Sequence, residues 1–259
     1  MAIKIAIANL KGGIGKTTTA LCLSDLLSKR GKKVLLIDTD PQRSATGVYG
    51  ASTDGVATLA DIMYDESGTI DASECIQHLP LGDIIASDNA LRESETKIKT
   101  DADRFYHLID GCKNLDDKYD FIILDCPPGN GVMLGNVLSY ANYVIMPTVL
   151  DKFGIEGMAD FSDVMRSYTR HINPNLRILG VLIIKYKGRQ SLTRDLEDNL
   201  LPAIIESMST KVFDTKIRES VKCQEAQALK VSLYDYAPTC TTAEDYISFT
   251  DELLKELKQ

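Results

Sequence analysis

A buried strand that runs directly into a glycine-rich turn restricts the fold of this chain more than any other feature. Residues 3–8 are apolar at nearly every position, which is typical of a strand covered on both faces of a parallel sheet. Residues 11–18 then read K-G-G-I-G-K-T-T, and the helical spacing of alanine and leucine begins at residue 17. This strand–loop–helix order predicts an α/β unit whose turn binds an anion.

The turn fits the phosphate-loop pattern G-x-x-x-x-G-K-[ST] in a relaxed form. Gly15, Lys16 and Thr17 match the end of the pattern, whereas Leu10 occupies the position of its first glycine. Glycine torsions can aim successive N–H groups at an anion, and the helix that follows adds its positive N-terminal end. Lys16 would then reach the terminal phosphates and the Thr17 hydroxyl would bind Mg²⁺. The alternative is a glycine turn without a ligand, which this order of glycines, lysines and threonines disfavours.

Strands and helices alternate along the chain, which predicts a doubly wound, mostly parallel sheet with helices on both faces. The predicted strands are residues 3–8, 34–37, 82–87, 121–124, 142–147 and 177–184. The predicted helices are residues 17–30, 58–64, 101–115, 131–140, 155–170, 192–207 and 242–257, with residues 43–80 otherwise irregular. We expect one α/β domain over residues 1–259.

Composition limits the partners and the compartment. The net charge of −8 and the pI near 5.0 exclude a protein that coats nucleic acid with its whole surface, so any DNA contact must come from a local patch. Six cysteines without a C-x-x-C pair fit reduced thiols in the cytoplasm. No apolar run reaches the ~18 residues of a membrane span, so we expect no stable membrane anchor.

Three aspartates directly follow predicted strands, where α/β sheets bind their ligands. Asp38 and Asp40 follow the second predicted strand, and Asp125 follows residues 121–124. Mg²⁺ takes one or two carboxylates beside the phosphates, which suits Thr17, Asp38 and Asp125. An attacking water also needs an acceptor that orients it. Each aspartate could instead be a helix cap or a turn residue.

Several motifs together resemble one family of nucleotide hydrolases. The K-G-G-x-G-K-[ST]-[ST] segment is similar to the deviant Walker A motif of the ParA/MinD group of P-loop ATPases. Residues 38–41, D-T-D-P, resemble that group's D-x-D-P motif, and residues 125–128, D-C-P-P, resemble its switch II. Residues 153–158, 225–226, 234–235 and 243–246 resemble the ParA/Soj partition ATPases in particular, so the resemblance covers nearly the whole chain.

The resemblance implies roles for individual residues. Lys11 is the signature lysine, which in this family crosses a dimer interface to the nucleotide of the other subunit. Asp40 polarises the attacking water, so the implied catalytic residues are Lys11, Lys16 and Asp40. The implied nucleotide-binding residues are Lys11, Gly12, Gly13, Ile14, Gly15, Lys16, Thr17 and Thr18. Cys126 is interpreted as a structural cysteine, because no histidine lies near it in sequence.

The resemblance also implies partners. Such proteins bind ATP and Mg²⁺, form a nucleotide-sandwich homodimer and bind double-stranded DNA without sequence preference. A ParB-like centromere-binding protein stimulates their slow hydrolysis, and they associate with the nucleoid. The candidate DNA face comprises Lys185, Lys187, Arg189, Arg194, Lys211, Lys216, Arg218, Lys222 and Lys230. The alternative interpretation is that these residues belong to an ordinary solvated surface. Residues 184–187 read I-K-Y-K where related proteins often read T-M-Y-D, so the late strand departs from the family pattern.

Three other functions are alternatives to DNA partition. A MinD-like membrane-associated ATPase would need a basic amphipathic helix at the end of the chain, and residues 252–259 are mixed in charge. A metallocluster carrier would need interface cysteines, and no such spacing occurs. An ATPase that positions a different cargo on the nucleoid stays open.

Overall fold

The computed structural model describes residues 1–65, 70–98, 103–187 and 201–258, and its centre is a seven-stranded sheet. The strands are β1 (Ile3–Ile7), β2 (Val34–Asp38), β3 (Ile76–Leu79), β4 (Gly82–Ile85), β5 (Phe121–Asp125), β6 (Tyr143–Val149) and β7 (Arg177–Ile184). Their order is β3-β4-β2-β5-β1-β6-β7, and only the β3–β4 pair is antiparallel. The predicted α/β class with a mostly parallel sheet is confirmed.

Helices connect the strands and lie on both faces of the sheet. The α-helices are α1 (Lys16–Lys29), α2 (Ser44–Tyr49), α3 (Leu59–Tyr64), α4 (Ala90–Ile98), α5 (His107–Cys112), α6 (Val132–Tyr140), α7 (Lys152–His171), α8 (Leu201–Ser207), α9 (Val221–Ala228), α10 (Leu233–Tyr236) and α11 (Thr241–Glu256). Short 3₁₀ turns occupy Ala72–Cys75 and Lys113–Leu115. No helix in the described part of the chain is long and apolar enough to span a bilayer.

Alternate residues of each central strand enter different hydrophobic cores, as the period of two in a strand requires. Ile5 and Ile7 of β1 belong to the core that also contains α1 and α11. Ala6 of the same strand belongs to the opposite core, which contains α3, α6 and α7. All five residues of β2 and all five of β5 are buried, which explains their continuous apolar sequence.

The predicted secondary structure was least accurate in residues 43–115. Residues 43–80 contain α2 and the edge strand β3 in addition to the short helix that was expected there. The helix predicted over 101–115 begins only at residue 107 and ends in a 3₁₀ turn, and α4 was missed. These elements are four to nine residues long, shorter than the window of roughly 11–18 residues in which hydrophobic periodicity identifies a helix or strand. Residues 192–200, the first part of the helix predicted over 192–207, lie outside the described residues.

Candidate functional site

The glycine-rich turn between β1 and α1 has the backbone of an anion cradle. Gly13 and Gly15 both adopt left-handed torsions, with φ of 72° and 74°. Alternation of such torsions turns successive N–H groups toward one side. At Gly15 a Cβ atom would lie 2.8 Å from Ile184 Cδ1, so a side chain is excluded by contact as well as by torsion. α1 begins at the next residue and directs its N-terminal end at the same point.

Lys16 lies inside this turn. Its side chain is only 6% exposed, and its Nζ donates a hydrogen bond to the carbonyl oxygen of Lys11 at 2.6 Å. Burial lowers the pKa of Lys16, and the neighbouring Cys126, Asp125 and Asp40 oppose that effect. The ammonium group therefore lies at the mouth of the loop, beside two of the three aspartates that sequence analysis selected.

Lys11 lies against α7 of its own chain. Its Nζ is 5.4 Å from the ring centroid of Phe153, a cation–π arrangement, although Phe153 is 69% exposed. The aliphatic part of Lys11 crosses α7 at Gly157, where a Cβ atom would lie 2.7 Å from Lys11 Cε. The contact with Gly157 was not predicted from sequence, and a side chain at this helical position would displace the end of Lys11.

Asp38 and Asp125 stand side by side at the carboxyl ends of β2 and β5, where they are paired across the sheet. Asp38 is fully buried, and its carboxylate accepts hydrogen bonds from the N–H and hydroxyl of Thr46 at 2.8 and 2.7 Å and from the N–H of Asp40 at 3.1 Å. Burial raises the pKa of Asp38 to about 6 despite these bonds. A carboxylate with such donors is fixed in position, and Thr46 is a residue that sequence analysis did not identify.

Asp125 is the less satisfied of the two carboxylates. It is fully buried, and neither of its carboxylate oxygens has a hydrogen-bond partner among the described residues. Burial raises the pKa of Asp125, and the negative charge of Asp38 raises it further. The nearby Thr17 hydroxyl lowers this pKa, although it does not reach good hydrogen-bond geometry. Two unpaired buried oxygens beside a hydroxyl are the donor set that a hard divalent cation takes, so Thr17, Asp38 and Asp125 fit Mg²⁺.

Asp40 is held by the turn that follows β2. Its Oδ1 accepts a hydrogen bond from the N–H of Gln42 at 2.9 Å, and its backbone carbonyl accepts from Arg43 N–H at 2.8 Å and from the Ser87 hydroxyl at 2.9 Å. The side chain is nearly buried. A carboxylate has about four lone-pair positions, so this turn leaves Asp40 with capacity for a further donor.

The segment after β5 packs against the entrance of the loop. The N–H of Gly129 donates to the carbonyl of Leu10 at 2.8 Å, and Pro128 lies in contact range of Gly12. Cys126 is buried, and burial raises the pKa of its thiol, which keeps it protonated and poorly nucleophilic. This environment agrees with its interpretation as a structural cysteine.

A cavity of about 80 Å³ adjoins the loop. Gly15 and Thr18 form its loop side, and α9 forms the opposite side. Gln227 of α9 donates to the Thr18 hydroxyl at 3.1 Å, which ties α9 to the first turn of α1. Gln227 is separated from the loop by more than 200 residues and belongs to no motif, so sequence analysis missed it.

Three of the candidate DNA-binding residues are engaged in ion pairs. Arg218 makes three side-chain hydrogen bonds to the Asp245 carboxylate, at 2.7 to 3.2 Å. Lys211 and Lys222 each pair with one glutamate, at 2.5 and 2.8 Å. Exposed lysine–glutamate pairs contribute about 0–1 kcal/mol to stability, so Lys211 and Lys222 could exchange a carboxylate for a DNA phosphate at little cost. Arg218 would instead lose a bidentate carboxylate partner, which is a stronger interaction.

Three of the other candidates, Lys185, Lys187 and Lys216, lie near one another at the end of β7. Lys187 and Lys230 are exposed, and Lys216 Nζ lies 4.7 Å from the ring centroid of Tyr186. Lys185 lies beside the phosphate loop, where its Nζ donates to the Gly13 carbonyl. Arg189 and Arg194 lie outside the described residues. The structure therefore brings the loop, Lys11 and the three aspartates to one edge of the sheet. It also places four of the basic residues near one another at the end of β7, where Ile217 bridges Ile184: Lys185, Lys187, Lys216 and Arg218.

Known proteins resemble this chain over most of its length. A family model described as an AAA domain matches residues 2–178. The chromosome partitioning protein ParA of Caulobacter vibrioides is 31% identical over 96% of this chain and 93% of its own length, and the sporulation initiation inhibitor protein Soj of Bacillus subtilis is 31% identical over 96% and 97%. A solved structure of cobyrinic acid a,c-diamide synthase from Mycobacterium smegmatis with bound ADP and magnesium is 27% identical, with a TM-score of 0.83 over 100% of this chain and 96% of that chain.

Proposed function

This chain belongs to the ParA/Soj partition ATPases of the deviant Walker A group, and from that premise we propose that it is an ATP-dependent DNA-segregation switch. In this proposal ATP and Mg²⁺ bind at the loop, ATP drives formation of a sandwich homodimer, and the dimer binds double-stranded DNA without sequence preference. A ParB-like protein then stimulates a slow hydrolysis that releases the DNA. The protein would thus act in the cytoplasm, on the nucleoid.

One observation carries the proposal: a buried ammonium, an unpaired buried carboxylate and a helix N-terminus meet at the carboxyl edge of the sheet. Lys16 and the loop N–H groups offer positive charge for phosphates, and Asp125 offers unsatisfied oxygens. A purely structural turn would leave both carboxylate oxygens of Asp125 buried without a hydrogen-bond partner, which is unfavourable. The ADP and magnesium bound to the 27% identical synthase support the same pair of ligands in this fold.

Each residue of the site has a defined task in the proposed reaction. Mg²⁺, when bound, neutralises charge on the transferred phosphoryl group, and Thr17, Asp38 and Asp125 would hold it. Lys16 and the loop N–H groups bind and orient the phosphates. Asp40 lies on the turn beside this edge with spare acceptor capacity, so it can orient the water that attacks the γ-phosphate.

Lys11→Ala should leave ATP binding intact and remove ATP-dependent dimerisation. In the free chain Lys11 rests on Phe153 and Gly157, and an exposed cation–π contact of this kind contributes only about 0.5–1 kcal/mol. Its ammonium can therefore leave α7 for the phosphates of a second subunit at little energetic cost. Sedimentation velocity with ATP should show a dimer for the wild type and a monomer for Lys11→Ala, while calorimetry gives ATP affinities within about threefold of each other.

Lys33→Ala is the matched control for this experiment, because it removes the same charge from the exposed start of β2, at the opposite edge of the sheet. It should dimerise like the wild type. Dimerisation of Lys11→Ala with ATP would show that Lys11 does not bridge two subunits.

DNA binding should require ATP and should weaken steeply with salt. Each neutralised DNA phosphate lowers log K by about 0.9 per unit of log salt concentration, so several lysine contacts give a large slope. Fluorescence anisotropy with duplexes of two unrelated sequences, over a salt series with ATP, ADP or no nucleotide, measures both properties. The Lys11→Ala variant serves as the non-dimerising control. Equal binding in all three nucleotide states, or a strong preference for one duplex, would contradict the proposed switch.

A membrane-associated positioning ATPase of the MinD kind is the runner-up. Membrane binding through α11 would require an apolar face that is available to lipid. Tyr246, Phe249 and Leu253 of α11 are all buried in the core beside α1. Covering of that face favours DNA over lipid as the ATP-dependent partner, and a vesicle flotation assay with ATP distinguishes the two.

A further inference from the structure

Lys185 has an unusual backbone and an unexpected neighbour. It directly follows β7 and adopts a left-handed φ of 51°, a conformation that lysine rarely takes. Its Nζ donates a hydrogen bond to the carbonyl oxygen of Gly13 at 3.3 Å, so a side chain from the far side of the sheet reaches the phosphate loop. Non-glycine residues keep such torsions where the surrounding structure fixes them, often beside functional sites.

The backbone on both sides of Lys185 is anchored. Ile184 forms an isolated bridge with Ile217 and packs its Cδ1 under Gly15 of the loop. Tyr186 N–H donates to the carbonyl of Ile217 at 3.0 Å. Lys185 therefore leaves a fixed segment, and its exposed side chain extends back to the loop, where its Nζ reaches the Gly13 carbonyl.

A hydrogen bond to the Gly13 carbonyl also determines the direction of the Ile14 N–H group. Gly13 and Ile14 share one planar trans peptide, in which the C=O and N–H groups point in opposite directions. An ammonium that holds the Gly13 carbonyl therefore turns the Ile14 N–H away from Lys185. Because Gly13 has no Cβ to restrict its torsions, rotation about its ψ angle can turn this peptide unless something outside the loop holds it.

We propose that Lys185 is a positioning residue of the phosphate loop, which fixes the Gly13–Ile14 peptide so that the Ile14 N–H is presented to a nucleoside polyphosphate. The inference rests on the proposed nucleotide binding and adds a residue to that site. It also reassigns Lys185, which sequence analysis placed on the DNA face. Glu219 lines the same two cavities as Lys185, of about 80 and 220 Å³, and is the acidic competitor for its ammonium.

Calorimetry with ATP and with ADP on four variants tests the role. Lys185→Met keeps the length without the charge and should weaken both nucleotides about fivefold, the effect of one exposed charge-assisted hydrogen bond. Lys185→Gly should weaken them equally without lowering the thermal unfolding midpoint, since glycine accepts the left-handed torsion. Lys185→Arg keeps a cationic donor and should restore affinity to within about twofold of the wild type. Lys152→Met removes the same charge from the exposed start of α7 and should bind as the wild type does.

Several results would overturn the inference. Wild-type affinity in Lys185→Met and Lys185→Gly would show that the contact does not position the loop. An equal loss in Lys152→Met would assign the effect to long-range charge, and failure of Lys185→Arg to restore binding would remove the donor role. If the wild-type protein binds neither nucleotide, the proposed function and this inference are both overturned. If the wild type binds, Lys16→Ala does not, and all Lys185 variants bind normally, this inference alone is overturned.

Discussion

Lys16→Ala is expected to lower the affinity for ATP by about 1.5 to 3.5 orders of magnitude. Lys16 is the buried ammonium at the mouth of the loop, where its Nζ donates to the Lys11 carbonyl and can exchange that acceptor for a phosphate oxygen. Removing one member of a buried, hydrogen-bonded charge pair costs about 2–5 kcal/mol, and about 1.4 kcal/mol corresponds to a tenfold change in affinity. Isothermal titration with ATP and Mg²⁺ measures the loss directly.

Two further variants separate charge from packing at this position. Lys16→Met keeps most of the side-chain volume without the ammonium, and it should bind ATP as poorly as Lys16→Ala. Lys29→Ala removes an exposed lysine from the other end of α1, where it pairs with Asp235, and should leave affinity unchanged. ATP affinity that survives in Lys16→Met would mean that the nucleotide lies elsewhere.

The central fold could be predicted from sequence because its strands are buried on both faces. Continuous apolar runs such as those of β2 and β5 have no other common explanation when helical segments separate them. The edge of the sheet could not be predicted in the same way. β3 reads I-Q-H-L and has no fully buried residue, and its position depends on pairing with β4, which no local pattern encodes.

The candidate site likewise contains residues that could be predicted from sequence and residues that could not. The loop and the aspartates were predicted because a phosphate cradle requires glycines next to a lysine, and because ligands bind where parallel strands end. The residues that hold these groups in place were not predicted. Thr46 donates two hydrogen bonds to Asp38 from eight residues further along the chain, and no local pattern marks it as a partner of that carboxylate. Lys185 reaches Gly13 from 172 residues away, and this contact follows from the order of strands in the sheet, which only the folded chain defines.

Asp40→Ala is expected to stop ATP hydrolysis while it preserves ATP binding and dimerisation. Asp40 belongs to the turn after β2 and not to the loop that holds the phosphates, so its removal leaves Lys16 and Asp125 in place. A positioned acceptor for the attacking water contributes about 10²–10⁴-fold to rate. Phosphate release should therefore fall by at least about 100-fold, and sedimentation with ATP should show a dimer that persists after the wild-type dimer has dissociated.

Asp40→Asn decides whether the carboxylate acts on water or only shapes the turn. An asparagine Oδ1 can still accept the hydrogen bond from the Gln42 N–H, so a structural role predicts near-normal hydrolysis. A role in orienting and polarising water requires the negative charge and predicts a loss as large as that in Asp40→Ala. Because both variants keep the loop, a parallel fall in their ATP affinity would instead place Asp40 among the nucleotide-binding residues. Loss of turnover in both, with unchanged affinity, assigns the water to Asp40 and makes hydrolysis the step that ends the dimeric state.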